Sequence, residues 1–136
     1  FAPPGLGIGQ QPSGRRAAGD RDREALARLG LSTDDVDGLY TYDAFSPLVL
    51  FVLERFGFCG PGEAAAFVAG GRIGPGGALP VNTSGGLLSE AHVGGWNSVA
   101  EMVRQLRGTA GPSQIPDAEV LLWGTCWGDA VVLTAA

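Results

Sequence analysis

The sequence predicts a layered α/β domain with a mixed sheet. Segments of helix-forming and strand-forming residues alternate along the chain, and two apolar runs close it around a short turn of small residues. Alternating elements that end in a strand pair indicate helices layered on a sheet whose strands are not all parallel. With 136 residues, 45% of them hydrophobic, the chain fits one globular domain with an adequate core.

The first part of the chain predicts a connector followed by a helix. Residues 1–21 are rich in glycine and proline and lack the apolar periodicity of a helix. Within them GLGIGQ is similar to a phosphate-binding loop, but no well-formed strand precedes it and Pro12 follows where a helix should begin, so we expect a plain connector. Good helix formers over residues 22–29 predict a short helix that Gly30 ends, and the folded domain is expected to span residues 22–136.

The next segments predict a strand and an apolar helix. Residues 32–35 can cap one further turn, and the branched and aromatic residues of 36–42 suit a strand. Ser46 is predicted to cap a helix with Pro47 at its first position, and Gly57 is predicted to stop it. This helix is apolar on nearly every face, so we expect it to be buried on both sides.

The second half of the chain predicts a loop and three strands. Many glycines across residues 60–77 indicate a loop with at most a short turn near 63–68, after which residues 78–81 suit a strand that enters NTSGG. The apolar runs 119–123 and 130–134 predict a strand pair around the tight turn GTCWGD.

The clearest helix is predicted over residues 99–107. Ser98 and Glu101 match a capping box, and Gly108 is expected to end the helix. One face is apolar at helical spacing, which predicts core packing rather than a ligand surface. The residues of that face are Val99, Met102, Val103 and Leu106.

Charge and composition exclude several classes of function. The net charge is −5, and an acidic chain lacks the cationic surface by which a protein binds nucleic acid. All nine basic residues are arginine, so this chain cannot supply the lysine amine of a Schiff-base aldolase or a pyridoxal enzyme.

The cysteines and the histidine indicate neither a metal site nor a secreted protein. Cys59, Cys126 and His92 fall short of the four ligands of a zinc site, so we expect no metal. No segment resembles a signal peptide, and the longest apolar run, residues 47–53, is too short to span a bilayer. We therefore expect a cytoplasmic protein with two reduced thiols.

Five blocks in a fixed order carry a family resemblance. They are LGLSTDDVD from Leu29, YDAFSPLVLFVLERFGFCGPGEA from Tyr42, GGRIGPGGA from Gly70, LPVNTSGGLLSEAHVGGWNSVAEMVRQLRG from Leu79 and GTCWGDAVVLT from Gly124. Together they resemble the C-terminal half of thiolase-superfamily proteins of the lipid-transfer type, and of related aldolases that shorten steroid side chains. The resemblance covers residues 22–136, and it is specific because order and spacing agree as well as composition.

The resemblance implies half of a two-part fold and a class of reaction. The family fold packs two similar α/β halves into five layers, and this chain has room for one half. The implied function is a thiolase-like acyl-CoA enzyme, or a subunit of one, that makes or breaks a carbon–carbon bond next to a coenzyme A thioester. The reaction would be thiolysis, by an acyltransferase, or retro-aldol cleavage, by a lyase, in lipid or steroid side-chain degradation. The thioester is then the substrate, and no covalently bound cofactor is expected.

Two other functions stay open. In the family the first half carries the nucleophilic cysteine, where there is one, and no corresponding segment stands in this sequence. A non-catalytic half that acts as a binding or scaffolding subunit is therefore the alternative, and a generic α/β ligand-binding domain is a weaker one. In either case the half would expose the face that packs on its twin, so we do not expect a stable monomer. The resemblance implies a homodimer or a heteromer, including one with a small companion protein that carries a zinc ribbon and an OB-fold.

Three residues match the catalytic motifs of the family. Tyr42 in YDAF resembles the tyrosine of the aldolases, where it would exchange a proton with a substrate oxygen; the alternative is a hydrogen-bonded tyrosine at a strand end. His92 in SEAHVGG matches the histidine of the thiolase Gly-His-Pro motif, a position that the aldolases fill with tyrosine. Cys126 matches the Cys-x-Gly motif, whose thiol acts as acid or base; the alternative is a small apolar core residue.

Further residues around these motifs are predicted to contact the substrate. Glycine has no side chain to obstruct a thioester, so loops with these residues could approach it closely. The predicted substrate-binding residues are Asn82, Gly85, Gly86, Gly94 and Gly128. Asp43 is expected to cap a helix or a turn rather than to act as a base. Because Tyr42 is aldolase-like while His92 and Cys126 are thiolase-like, the direction of the reaction stays open.

Overall fold

A computed structural model of the chain describes residues 24–136, which form a three-stranded mixed sheet with helices on both faces. The strands are β1 (Gly38–Thr41), β2 (Val120–Gly124) and β3 (Ala130–Thr134), in the order β1-β2-β3. β1 is parallel to β2, and β2 is antiparallel to β3. The predicted mixed sheet and its closing strand pair are confirmed. The predicted connector, residues 1–21, lies outside the described residues.

Five α-helices and three short 3-10 turns accompany the strands in the described part of the chain. The helices are α1 (24–27, its described residues), α2 (Ser46–Phe56), α3 (Ala64–Phe67), α4 (Gly86–Ser89) and α5 (Trp96–Leu106). The 3-10 turns are Thr33–Asp35, Ala69–Gly71 and Gly111–Ser113. Gly30 has a φ of 73°, and its N–H donates to the carbonyl of Ala27, so the predicted end of the first helix is confirmed.

Strands β1 and β2 have buried residues on both faces of the sheet, because successive strand residues point to opposite sides. On one side Leu39 and Leu122 pack with Phe56 of α2 in one apolar cluster. On the other side Tyr40 packs with Met102 of α5 in a second cluster. The order of the layers is therefore α2, sheet, α5.

Helix α2 differs from its prediction at its start and in its burial. Ser46 is the first helical residue rather than the cap, and the cap position is held by Phe45, which makes no side-chain capping bond. Gly57 ends the helix with a φ of 84°, as predicted. Burial on both sides is wrong, because α2 is an outer layer: Phe45 is 71% exposed and Phe51 is 37% exposed.

Helix α5 begins three residues earlier than predicted, and its buried face is rotated. Gly95 is its cap residue and makes no side-chain bond, so the predicted capping box is wrong. Ser98 and Glu101 lie inside the helix instead, where both are buried. The buried stripe is Ser98, Glu101, Met102 and Gln105, while Val99, Val103 and Leu106 are half-buried. Glu101 and Gln105 can occupy this stripe because hydrogen bonds with neighbouring loops satisfy their side chains.

The remaining elements follow the sequence in part. Residues 78–81 form no strand; they make one isolated parallel bridge, between Val81 and Leu39, where Pro80 accepts a hydrogen bond but has no N–H to give. The predicted turn near 63–68 is α3. Helix α4 is not predicted by the sequence. No helix in the described ranges is long and apolar enough to cross a membrane.

Candidate functional site

Three aromatic side chains meet at one end of the sheet. The Tyr42 ring centroid lies 5.5 Å from the His92 ring and 5.8 Å from the Trp127 ring, at interplanar angles of 57° and 53°. Tyr42 is half-buried, His92 is exposed, and Trp127 is 44% exposed. The structure therefore brings together two of the three predicted catalytic residues and adds Trp127, which the sequence reasoning did not select. We call Tyr42, His92 and Trp127 the aromatic cluster.

Strand direction places the cluster where it is. β1 and β2 are parallel and in register, with Thr41 opposite Gly124, so their carboxyl ends lie side by side. Tyr42 directly follows the first strand and the turn 125–128 follows the second. The carboxyl ends of parallel strands are where α/β proteins hold ligands, because loops from different strands converge there.

A hydrogen-bonded turn holds Trp127 outward. The N–H of Thr125 donates to the carbonyl of Asp129 at 3.0 Å, and the N–H of Gly128 donates to the carbonyl of Thr125 at 3.1 Å. The Thr125 hydroxyl also accepts from the N–H of Trp127, at 3.2 Å. Gly128 has a φ of 100°, which the turn requires and which favours glycine. Its predicted contact with substrate stays a prediction.

The Cys126 side chain lies in the apolar core. It is 3% exposed and belongs to the cluster that contains Leu39, Phe56 and Leu122. Burial raises the pKa of its thiol above the ordinary value. Its carbonyl accepts a hydrogen bond from Arg55 Nη1 at 3.1 Å, which ties the turn to α2. This environment is that of a core residue, and the predicted acid–base role of the thiol stays a prediction.

We expect Cys126 to resist thiol reagents in the native protein. A reagent needs access to the thiol and a thiolate to react with. Burial raises the pKa of both Cys126 and Cys59, so the two thiols differ in access, and Cys126 is only 3% exposed. Cys59, which is half-buried and also a free thiol, is the internal comparison. Mass spectrometry after iodoacetamide treatment should show Cys59 modified first and Cys126 modified only after unfolding in urea. Equal labelling of Cys126 in native and unfolded protein would contradict the buried placement.

The segment that carries His92 is attached to β1 through two side chains. The N–H of Thr41 donates to Asn82 Oδ1 at 2.8 Å, and Asn82 Nδ2 donates to the carbonyl of Thr41 at 3.1 Å. The N–H of Leu87 in α4 donates to Asp43 Oδ1 at 3.0 Å. Asp43 therefore caps a helix, as the sequence predicted, although that helix is α4.

Close packing explains two of the three predicted glycines in this segment. A Cβ on Gly86 would overlap the Asp43 carboxylate, and a Cβ on Gly85 would overlap the Ser89 side chain. Gly94, by contrast, has open space around the position of a Cβ. Whether any of these glycines approaches a thioester stays a prediction.

A buried polar network joins the same segment to α5. Glu101 is 3% exposed, and its Oε1 accepts hydrogen bonds from Thr83 Oγ1, Gln105 Nε2 and Ser113 Oγ, each at 3.0 Å. Since the single proton of Thr83 goes to Glu101, the Tyr40 hydroxyl is the donor in its 2.8 Å bond to Thr83. Desolvation by burial raises the pKa of Tyr40 to about 12. The network thus links β1, the segment after residue 82, and α5.

A cleft of about 910 Å³ lies beside this segment. Asn82, Thr83 and Gly85 line it together with parts of 73–81 and 112–116. Its size suits a small-molecule ligand. No residue of the aromatic cluster lines this cleft, so the cleft and the cluster are separate features of the surface. Within residues 24–136 no group of three His, Cys, Asp or Glu side chains could hold a metal ion.

Comparison with known proteins identifies the class of fold. Residues 10–133 match the family described as thiolase C-terminal domain-like. A solved structure, the Ltp2-ChsH2(DUF35) aldolase, matches with a TM-score of 0.79 at 41% identity, over 88% of this chain and 32% of that chain. The sheet and helices described above are therefore one half of a thiolase fold, as the sequence predicted.

The curated relatives point to lipid-related members of the same class. A 17-hydroxy-3-oxo-4-pregnene-20-carboxyl-CoA lyase of Mycobacterium tuberculosis is 52% identical over 65% of this chain and 23% of its own length. Human sterol carrier protein 2 is 38% identical over 82% of this chain and 21% of its own length. This chain belongs to the thiolase C-terminal domain-like family, and it spans between a fifth and a quarter of the length of these curated relatives.

Proposed function

We propose that this domain supplies part of the active site of an acyl-CoA enzyme that makes or breaks a carbon–carbon bond next to the thioester. The meeting of Tyr42 and His92 carries the proposal: two proton-exchanging side chains, far apart in sequence, lie with their rings 5.5 Å apart at the carboxyl end of the sheet. The relatives support the substrate class, since one is named a carboxyl-CoA lyase and another an aldolase.

Retro-aldol cleavage is the direction that we propose. In this reaction a base takes the proton of a β-hydroxyl, the bond between the α and β carbons breaks, and the electron pair moves to the thioester as an enolate. The β carbon leaves as a ketone or aldehyde, and the enolate is protonated at its α carbon. A tyrosine hydroxyl and an imidazole can divide these roles, one exchanging the proton and the other donating a hydrogen bond to the thioester oxygen.

Neither cysteine of this half is placed to act as the nucleophile of thiolysis, which in the family comes from the other half, so the proposed direction rests on what this half itself can supply. Thiolysis by a covalent route needs an accessible thiolate at the reacting carbon. Cys126 is buried in the apolar core, and Cys59 lines a cavity with Leu26, Leu31 and Phe56 instead of joining the aromatic cluster. Retro-aldol cleavage needs no thiol, so the residues of the cluster suffice for its proton transfers.

The exposed apolar residues support a large apolar substrate or a covering chain. Phe45, Leu88, Val93 and Trp96 are 71%, 99%, 48% and 74% exposed, and all four lie on the segments that carry Tyr42 and His92. Exposed apolar surface of this kind marks a binding region. We propose a steroid-like or fatty acyl group as the substrate and an assembly, homodimeric or with a zinc-ribbon and OB-fold companion, as the working state. The two free thiols fit a cytoplasmic setting.

Substitution of His92 by tyrosine tests the direction of the reaction. We expect His92→Tyr to retain cleavage of a β-hydroxyacyl-CoA, because the phenol keeps a hydrogen-bonding group at the same place, and to lose any thiolysis of a 3-ketoacyl-CoA. Both reactions can be followed by mass spectrometry of the CoA products, using the protein as isolated with its co-purifying chains. Glu90→Gln, an exposed change two residues away, is the matched control and should react as the wild type does.

Two outcomes would redirect the proposal. If His92→Ala cleaves at the wild-type rate, His92 has a structural role and the site assignment is wrong. If the wild-type assembly turns over neither substrate while it binds its companion chain, the second candidate, a non-catalytic scaffolding half, replaces the enzyme. The exposed apolar residues favour that candidate as well, because they would serve as its contact surface.

A further inference from the structure

We propose that Asn82 and Asp43 are positioning residues, which fix the Tyr42 ring against His92 by tying both chain neighbours of Tyr42 to the segment that carries His92. The sequence predicted that Asn82 contacts the substrate; in the role proposed here its side chain contacts β1 instead. This role rests on the proposed function of Tyr42 and His92, whereas the contact between their rings can be measured without turnover.

Asn82 bonds to Thr41 as a residue of a neighbouring strand would. Its backbone N–H donates to the carbonyl of Leu39 at 3.0 Å, which continues the bridge that Val81 makes with β1. Its side-chain amide then bonds both the N–H and the carbonyl of Thr41, as a neighbouring peptide group would. Asn82 has a φ of 49°, in the left-handed region that asparagine tolerates better than most residues. The residue before Tyr42 is thereby held at both of its backbone polar groups.

Asp43 holds the other side of Tyr42. Its Oδ1 accepts from the N–H of Leu87 at the start of α4, and its carboxylate lies so close to Gly86 that no Cβ fits there. Helix α4 has only four residues, and its own cap residue, Gly85, has no side chain with which to cap it. The Asp43 carboxylate is therefore the described side-chain cap of this helix, and it acts from the neighbouring residue of Tyr42.

The bonds between Asn82 and Thr41 are the first tie, and the bond between Asp43 and Leu87 is the second. Both ties act on one short segment. Residues 82–92 begin at the first tie, contain the second and end at His92. Glycines with positive φ, Gly85 and Gly86, lie between the ties, and glycine gives a chain little stiffness of its own. The buried network holds this segment at Thr83, but without the ties no described side-chain bond would join the chain neighbours of Tyr42 to the segment that leads to His92. A misplacement of about 1 Å can cost about 10²-fold in rate.

Removal of either tie should separate the two rings without unfolding the protein. Asp43→Ala removes the acceptor for Leu87, and Asn82→Gly removes the amide while relieving the positive φ. Asp43→Asn keeps an acceptor oxygen and should rescue the geometry. Ser84→Ala is the matched control, because Ser84 lies between the ties and makes no described side-chain hydrogen bond.

The first measurement reads geometry directly. The chain contains two tyrosines and one histidine, so selective ring labelling of this chain in the protein as isolated gives few NMR signals. We expect the nuclear Overhauser effect between the Tyr42 and His92 rings in the wild type, Asp43→Asn and Ser84→Ala, and its loss in Asp43→Ala and Asn82→Gly. Unchanged ring contacts in both of the latter variants, with the fold intact by circular dichroism, would overturn the proposal.

The second measurement reads the consequence for catalysis. We expect Asp43→Ala and Asn82→Gly to lower kcat by about 10- to 100-fold with little change in KM. In a Tyr42→Phe background Asp43→Ala should cost little more, because the group that it positions is already gone. Full additivity of the two losses would contradict the positioning role. Loss of the ring contact in a protein whose wild type shows no turnover would retain this inference and reject the proposed function.

Discussion

Replacement of Tyr42 by phenylalanine is expected to lower the rate of carbon–carbon bond cleavage by about 10² to 10⁴, the range over which a positioned acid or base contributes. The change removes one hydroxyl and keeps the ring that contacts His92 and Trp127. KM and the free energy of unfolding should change little, since no hydrogen bond of the Tyr42 hydroxyl is found within residues 24–136. Steady-state kinetics and urea denaturation measure the two effects separately.

Tyr40→Phe is the matched control, because the same atom is removed two residues earlier. The Tyr40 ring is fully buried and its hydroxyl donates to Thr83, so this variant should lose about 1 kcal/mol of stability and keep its rate. With its pKa raised to about 12, the stability contributed by the protonated hydroxyl is complete below pH 10 and is lost as the pH rises through 12. The variant should lack this alkaline loss. A Tyr42→Phe variant with the wild-type rate would remove Tyr42 from the mechanism, and a Tyr40→Phe variant as slow as Tyr42→Phe would show that the loss is not specific to the Tyr42 hydroxyl.

The sequence predicted the parts of the molecule that local chemistry determines. Gly30 and Gly57 end helices because glycine adopts the left-handed conformation at little cost, and that preference is visible in the sequence. Tyr42 and His92 were selected from short motifs that resemble a family, and the structure places their rings in contact. Trp127 was missed because a single tryptophan in a turn has no spacing or partner that sets it apart in a sequence.

The remaining features depend on contacts between distant segments. Helix α4 begins at glycines, which are poor helix formers, and is capped by Asp43, far earlier in the chain. Glu101 follows Ser98 at the spacing of a capping box, yet both lie inside α5. From sequence alone, a carboxylate in a helix is expected to face solvent unless the donors that satisfy it are known. Here two of the donors, Thr83 and Ser113, lie outside the helix, in distant segments.

That buried carboxylate leads to the largest stability effect that we expect. Glu101→Ala should destabilise the protein by about 2–3 kcal/mol, because the Thr83 hydroxyl loses its acceptor and Gln105 and Ser113 each lose one of the acceptors that they share. Glu101→Gln keeps an acceptor oxygen for the same donors and should cost about 1 kcal/mol or less. Chemical denaturation, with the slope checked for constancy, gives the free energies of unfolding.

Arg104→Ala separates charge from hydrogen bonding at this position. Arg104 Nη1 lies 3.7 Å from Glu101 Oε2, and its side chain is 57% exposed, so this ion pair should contribute less than about 1 kcal/mol. If Arg104→Ala or Glu101→Gln destabilises as much as Glu101→Ala, the negative charge rather than the acceptor oxygen holds α5 to the segment after Asn82. If all three variants match the wild type, the network is not a source of stability. The expected order, with Glu101→Ala far below the other two, would identify hydrogen-bond acceptance by Glu101 Oε1 as the interaction that joins α5 to this segment.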